Sequence, residues 1–234
     1  MGDDAAVLRA TANEMILSSD QFLEGVHFLG NVHPAEGVGY KSLARAVSDL
    51  AAMGATPRFF LMNLALPADR TGGANPVWLN GFLGGMRRAS AAFDIQLIGG
   101  DTAEARSISI GITVGGQMES GKALLRSGAH PGDLLYVSGV LGAAQLGLDL
   151  ILRASPASRA RRLLRAATWR GVMAAHLYPR PQLELGQWLA VRGRASAAID
   201  TSDGLSTDLA HLCDASGVAA RIWAEQIPAV RIPP

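Results

Sequence analysis

The chain has 234 residues, of which 49% are hydrophobic and 18% charged, enough to bury one large core or two smaller ones. The formal net charge of +1 gives neither sign a real excess, which argues against nucleic acid and a membrane surface as partners. A single cysteine, Cys213, excludes an internal disulfide, and no apolar run approaches the roughly 20 residues that span a bilayer. We therefore expect a globular, cytoplasmic protein.

Short apolar runs alternate with helix-length segments, which predicts an α/β protein with α+β layering. The predicted strands are Met15–Ser18, Phe59–Leu66, Gln96–Ile98, Ser107–Gln117, Leu134–Val137 and Ala197–Ile199. Helical spacing of apolar residues predicts helices over Tyr40–Met53, stopped by Gly54, and Val77–Phe93. A glycine-rich stretch predicts a boundary near Gly121, which divides the chain into domains 1–120 and 121–234.

The segment 153–170 is rich in arginine and has Trp169 as its single aromatic residue. A charge run of this kind is usually the solvated face of a helix. A basic docking face is the alternative that the sequence leaves open.

Aspartates recur beside glycine or serine where apolar runs begin or end. They are Asp3, Asp4, Asp20, Asp101, Asp200 and Asp203. Carboxylates gathered at strand ends repel one another unless cations neutralise them, and oxygen-only ligands suit Mg²⁺, which also binds substrate phosphates. Taken singly, each of these aspartates is more simply a turn residue or a cap. Together they predict a site with several Mg²⁺ ions that holds a phosphorylated ligand.

Two further positions leave alternatives open. Asp49 lies inside a predicted helix, where it either pairs with Arg45 at the surface or contributes to the metal site. Asp200–Gly204 joins a strand to a predicted helix from Leu205 to about Ser216. There Ser202 or Asp203 caps the helix, or the free N–H groups of its first turn bind phosphate.

Other routes to catalysis find little support. Gly116–Ala123 resembles a P-loop but carries Ala123 where a metal-binding hydroxyl is needed after Lys122. The histidines and the cysteine lack zinc-site spacing, and Ser202 lacks the setting of a nucleophile. His27, beside Phe28, is on general grounds a core residue.

Six motifs follow one another along the chain. They are Gly2-Asp3-Asp4-Ala5-Ala6-Val7, Ser18-Ser19-Asp20 through Gly25-Val26-His27-Phe28, Ser48-Asp49-Leu50-Ala51-Ala52-Met53-Gly54-Ala55, Leu97-Ile98-Gly99-Gly100-Asp101-Thr102, Arg126-Ser127-Gly128-Ala129 with Pro131-Gly132-Asp133, and Asp200-Thr201-Ser202-Asp203-Gly204-Leu205. In this order they resemble the thiamine-monophosphate kinase family, of the PurM-like superfamily typified by aminoimidazole ribonucleotide synthetase. The resemblance implies a ferredoxin-like N-terminal domain that forms a homodimer through a shared barrel, and a C-terminal α/β domain. It also implies ATP-dependent phosphorylation of thiamine monophosphate to thiamine diphosphate.

The resemblance also implies roles for individual residues. Asp4, Asp20, Asp49, Asp101 and Asp200 would hold Mg²⁺, Ser18 and Ser19 would add hydroxyl or backbone oxygens, and Asp203 would bind a further ion. Gly100, Asp101, Arg126 and Ser202 would contact ATP, and His27 would contact the thiamine phosphate. No general base is expected, because the acceptor is a phosphate monoester with a second pKa of about 6 and is largely ionised near neutral pH.

The chain departs from the family pattern at both ends. The family carries a segment before the Gly-Asp-Asp motif and continues past the position of Pro234 into motifs that help bind thiamine. We therefore expect an incomplete C-terminal domain and thiamine pocket. The alternatives are a truncated, noncatalytic nucleotide-binding or dimerisation module, and another ATP-dependent enzyme of the same superfamily.

Overall fold

A mixed β-sheet occupies the first half of the chain in the computed structural model, which describes residues 6–9, 13–71, 76–153 and 167–230. The strands are β1 (Ala6–Arg9), β2 (Asn13–Leu23), β3 (Thr56–Leu66), β4 (Gln96–Glu104) and β5 (Ser109–Glu119), and their order in the sheet is β1-β2-β5-β3-β4. β3 and β4 are parallel, whereas the other neighbouring pairs are antiparallel. The α/β class predicted from the sequence is confirmed.

Two long helices, α1 (Ala35–Met53) and α3 (Val77–Phe93), contribute to the core with the sheet, and the short helix α2 (Ala68–Thr71) precedes α3. Alternate residues of the strands, such as Ile16, Phe60 and Ile112, are fully buried in that core. Because side chains alternate across a strand, their neighbours in sequence lie on the opposite face of the sheet.

The backbones of α1 and α3 approach each other through glycine. A Cβ atom on Gly39 would lie 2.0 Å from the carbonyl oxygen of Phe82, and one on Gly85 would lie 1.9 Å from that of Glu36. No side chain fits at either position. The two helices can pack this closely only because both positions are glycine.

The second half of the described chain is mainly helical. It contains α4 (Ala143–Arg153), α5 (Ala167–Leu177), α6 (Leu183–Arg192) and α7 (Leu205–Ser216), with 3₁₀ turns at Arg126–Gly128 and Ala224–Gln226. α6 packs on α1, since a Cβ atom on Gly186 would lie 2.0 Å from the carbonyl oxygen of Ala51. Ala190 of α6 is buried in the same core as α1. None of the described helices has the length and apolar character to cross a membrane.

Two predicted strands are wrong. Leu134–Val137 and Ala197–Ile199 form no strand ladder, because no other strand lies beside them among the described residues. Leu134 and Tyr136 are 76% and 83% exposed, respectively. Most of the arginine-rich stretch, 154–166, lies outside the described residues, and the domain boundary near Gly121 stays a prediction.

Three basic side chains meet where α5 reaches α1. The Nε2 atoms of His33 and His176 lie 3.2 Å apart, and Nζ of Lys41 lies 3.3 Å from Nδ1 of His176. Nδ1 of His33 accepts a hydrogen bond from the Leu29 N–H, so its Nε2 carries the proton and donates towards His176. Burial, reinforced by the charge of Lys41, lowers the pKa of His176 to about 4, and burial lowers that of Lys41 to about 8.

We expect Gly85→Ala to destabilise the protein by about 1–3 kcal/mol, because the added methyl group would force α1 and α3 apart. Gly84→Ala is the matched control on the same helix, where an added Cβ meets nothing within 4 Å. It should be neutral or stabilising by up to about 1 kcal/mol, since alanine is the better helix former. Chemical denaturation measures both. Equal effects would contradict the close helix contact.

We expect acid to weaken the contact between α5 and α1. The pKa of His176 is lowered from 6.5 to about 4 in the folded protein, so the unfolded chain binds more protons between these values. The free energy of unfolding should therefore fall, by roughly 2–3 kcal/mol from this residue, as the pH falls from about 6.5 to about 4. His176→Gln should flatten the pH dependence measured by urea denaturation. If the free energy of unfolding depended on pH in the same way in both proteins, the proposed effect of His176 would be contradicted.

Candidate functional site

One pair of predicted site residues is in direct contact. The Ser18 hydroxyl of β2 donates a hydrogen bond to Oδ2 of Asp49, which lies near the end of α1. Arg45 does not pair with Asp49; its guanidinium lies over the ring of Phe22 instead. The metal-site role of Asp49 stays a prediction.

Asp20 and Ser19 lie on opposite faces of β2. Asp20 is two residues from Ser18 and so shares its face. Ser19 points to the other face, where its hydroxyl lies 2.9 Å from that of Thr113 on β5. The structure thus groups Ser18, Asp20 and Asp49 and leaves the Ser19 hydroxyl outside that group.

His27 is held in the loop after β2. Gly25 turns the chain with a φ of 83°, and its N–H donates to the carbonyl of Phe28 at 2.8 Å. Nδ1 of His27 accepts the Leu23 N–H at 2.9 Å, and the ring stacks on Phe22 with centroids 5.5 Å apart. Burial and the nearby charge of Arg45 lower its pKa, against the opposing effect of Asp20. At neutral pH the ring is therefore neutral and carries its proton on Nε2.

Gly100 and Asp101 lie on the other side of the sheet. Asp20 is paired with Ile112, Ile112 with Met62, and Met62 with Gly100, so β5 and β3 separate Asp20 from Gly100. Three strand spacings correspond to roughly 14 Å. Within one copy of the chain, Asp101 therefore lies far from Ser18, Asp20 and Asp49.

Gly100 has a φ of 147°, and a Cβ atom there would lie 1.8 Å from the carbonyl oxygen of Met62. Only glycine fits this position. The next residue, Asp101, is exposed and accepts the N–H of Thr102 at 2.8 Å. This close packing of β4 on β3 fixes where the Asp101 carboxylate stands.

A buried aspartate that the sequence analysis missed shapes the loop 200–204. Oδ2 of Asp208, only 4% exposed, accepts the N–H groups of Ser202 at 3.0 Å, Asp203 at 3.2 Å and Gly204 at 2.9 Å. Neither Ser202 nor Asp203 caps α7, and these three N–H groups are already bonded to a carboxylate. The sequence contains one indication of this role: Asp208 lies in the first turn of a predicted helix, where negative charge is favoured.

Arg126 is tied to the opposite end of α7. The Ser216 hydroxyl donates to the Arg126 carbonyl and accepts the N–H of Ala129 at 3.0 Å. A Cβ atom on Gly128 would lie 1.8 Å from the carbonyl oxygen of Ser196, so this turn also packs tightly against the segment that leads to Asp200. α7 thus anchors both Arg126 and the loop that carries Asp200, Ser202 and Asp203.

The ligand types fit a hard cation. The grouped candidates offer only carboxylate and hydroxyl oxygens, which suit Mg²⁺ better than zinc. Among the described residues, no three carboxylate, histidine or cysteine side chains come together as a metal site. Asp3 and Asp4 lie outside the described residues. Because Mg²⁺ commonly takes one or two protein carboxylates with waters and substrate phosphates, small groups such as Asp20 with Asp49 remain suitable.

Comparison with known proteins gives consistent matches. Residues 2–118 match the protein-family model described as AIR synthase related protein, N-terminal domain. The thiamine-monophosphate kinase of Salmonella typhimurium is 38% identical over 232 residues, covering 97% of this chain and 66% of the relative. The chain thus spans about two thirds of the length of that relative.

Solved structures show the same similarity. The complex of AaThiL with AMPPCP and TMP superimposes with a TM-score of 0.82 at 30% identity, covering 93% of this chain and 65% of that one. The thiamine-monophosphate kinase of Stenotrophomonas maltophilia K279a gives a TM-score of 0.83 at 36% identity, covering 98% of this chain and 69% of that one.

We expect Asp208→Asn to loosen the 200–204 loop, because it removes the negative charge that holds three N–H groups. The expected loss of stability is about 1–3 kcal/mol. Hydrogen exchange of the amides of residues 202–204 should also accelerate. Asp214→Asn, on the exposed face of the same helix, is the control and should change neither quantity. Unchanged exchange in Asp208→Asn would contradict the anchoring role.

Proposed function

Because the chain belongs to the thiamine-monophosphate kinase family, we propose that it transfers the terminal phosphoryl group of ATP to thiamine monophosphate. One P–O bond of ATP breaks, a new one forms to a phosphate oxygen of the acceptor, and ADP and thiamine diphosphate are the products. The observation that carries the proposal is sequence and structural similarity along nearly the whole chain. The test is formation of thiamine diphosphate from ATP and thiamine monophosphate in the presence of Mg²⁺.

Mg²⁺ is the proposed cofactor, and several ions are involved. When bound, these ions would neutralise charge on the two polyanionic substrates. Asp20 and Asp49 would hold one group of these Mg²⁺ ions. The Ser18 hydroxyl would orient the Asp49 carboxylate through its hydrogen bond. The remaining proposed ligands are Asp4, Ser19, Asp101, Asp200 and Asp203. Of these, Asp4 lies outside the described residues.

ATP is proposed to contact Gly100, Asp101, Arg126 and Ser202. Gly100 packs its backbone directly against Met62 of β3, which fixes the position of its own N–H and carbonyl groups. Asp208 already occupies the backbone N–H groups of 202–204, so Ser202 would act through its hydroxyl. Arg126 would supply positive charge for the nucleotide phosphates.

The acceptor needs no general base, because a phosphate monoester is largely ionised at neutral pH. His27 would instead orient it. Since Nδ1 accepts the Leu23 N–H and the ring is neutral, the Nε2–H can donate a hydrogen bond to a phosphate oxygen. Catalysis then consists of positioning and charge neutralisation.

A homodimer in the cytoplasm is the proposed working form. The sheet face away from α1 and α3 leaves Leu61 of β3 37% exposed, and Ile98 of the edge strand β4 is 60% exposed. A second copy would cover this face and the edge, which otherwise invites non-specific pairing. The separation of Asp101 from Asp20 is a further reason to propose that two copies cooperate.

We expect Asp49→Asn to lower kcat/KM for phosphoryl transfer by about 100-fold or more, because it removes a carboxylate proposed to hold Mg²⁺. Thiamine diphosphate formation is the measurement. Asp69→Asn, at an exposed position of α2, should keep full activity. A noncatalytic nucleotide-binding module would show no turnover in the unaltered chain either.

We expect Leu61→Glu to shift the protein from dimer to monomer, because it places a charge on the proposed contact face. Light scattering after size exclusion measures the mass. Val77→Glu places the same charge on an exposed site of α3, 72% exposed before substitution, and should leave the dimer intact. A monomeric unaltered protein would refute the dimer.

A further inference from the structure

Arg45 lies on the same face of α1 as Asp49. The two are one helical turn apart, and Lys41 lies one turn earlier on that face. The hydrogen bond between Ser18 and Asp49 shows that this part of the helix lies against β2 beside Ser18. Arg45 therefore stands near the proposed metal ligands without being one.

The ring of Phe22 contacts both Arg45 and His27. The guanidinium carbon of Arg45 lies 5.4 Å from the centroid of Phe22, and the His27 ring lies 5.5 Å from the same centroid. Phe22 itself is buried in the core, so its ring is held in place by the surrounding side chains. Arg45 is also close enough for its charge to depress the pKa of His27.

Arg45 retains most of its hydrogen-bonding capacity. Within the described part of the chain, its one polar contact is a long bond of 3.5 Å from an Nη1–H to the carbonyl of Gln21. Among the described residues, the structure gives it no carboxylate partner. A guanidinium has five N–H donors in a planar fork that matches two oxygens of one phosphate group. A half-buried arginine with open donors beside His27 suits an anion.

His27 cannot supply the positive charge that a phosphate monoester requires. Its ring is neutral at neutral pH, so it contributes a single directed hydrogen bond. Nζ of Lys41 lies 3.3 Å from Nδ1 of His176, and its charge also lowers the pKa of His27. Arg45 combines a positive charge with open donors next to Phe22, so it can balance the charge of an anion that His27 contacts.

We propose that Arg45 binds the phosphate group of the acceptor substrate, together with His27, and so selects a phosphorylated acceptor over its unphosphorylated form. This role deepens the proposed kinase function and rests on it. The alternative is that Arg45 only packs on Phe22, in which case its loss affects stability and leaves substrate affinity unchanged.

The test compares Arg45→Gln and Arg45→Lys with the unaltered protein. Loss of a charge-assisted, two-point contact should raise the KM for thiamine monophosphate about 10- to 100-fold and leave the KM for ATP within about twofold. Arg45→Lys keeps the charge but not the fork, so its KM should lie in between. Arg87→Gln, an exposed arginine of α3, is the matched control and should leave both KM values unchanged.

Isothermal titration calorimetry measures substrate binding directly, so it tests the role of Arg45 even without turnover. The unaltered protein should bind thiamine monophosphate more tightly than thiamine, and Arg45→Gln should abolish that preference. Absence of turnover in the unaltered protein would count against the kinase function, while the binding preference would still decide the role of Arg45. An unchanged preference and an unchanged KM in a folded Arg45→Gln variant would overturn the inference.

Discussion

The close backbone packing of α1 determines the position of the residues that this helix contributes to the proposed site. Glycine lets α3 approach α1 on one side at Gly39 and Gly85, and lets α6 approach its end at Gly186. Since atoms in a packed core cannot be displaced without cost, a side chain at any of these positions would move α1. α1 carries Arg45 and Asp49, so such a movement would separate them from β2.

Burial lowers the pKa values of three histidines and of Lys41 around α1. The histidines that contact or lie near this helix are neutral, because burial and neighbouring cations lower their pKa values. Lys41 keeps a positive charge at neutral pH, although burial lowers its pKa to about 8. Lys41 and Arg45 both lie on α1, and the charge of each lowers the pKa of His27.

The residues of the proposed site are distributed and do not lie in one cleft of a single copy. Ser18, Asp20 and Asp49 lie at one side of the sheet, Asp101 lies at the other, and α7 organises a third group around Asp200. This arrangement is understandable if catalysis depends on placing two flexible polyanions in line, since the ligands must then span both molecules. The group around Asp200 is kept in place by Asp208, a buried residue that touches no substrate in the proposed arrangement.

The sequence by itself determined the α/β class, the four longer strands, the main helices and the family motifs, because periodicity and motif order are local properties of the chain. It also identified Ser18, Asp20, Asp49 and His27 as candidates. It did not reveal that Asp208 anchors the 200–204 loop, or that His33 and Lys41 meet His176 more than a hundred residues away. It predicted strands at Leu134–Val137 and Ala197–Ile199, where the structure shows no ladder. These features depend on which segments become neighbours in space, and only tertiary packing decides that.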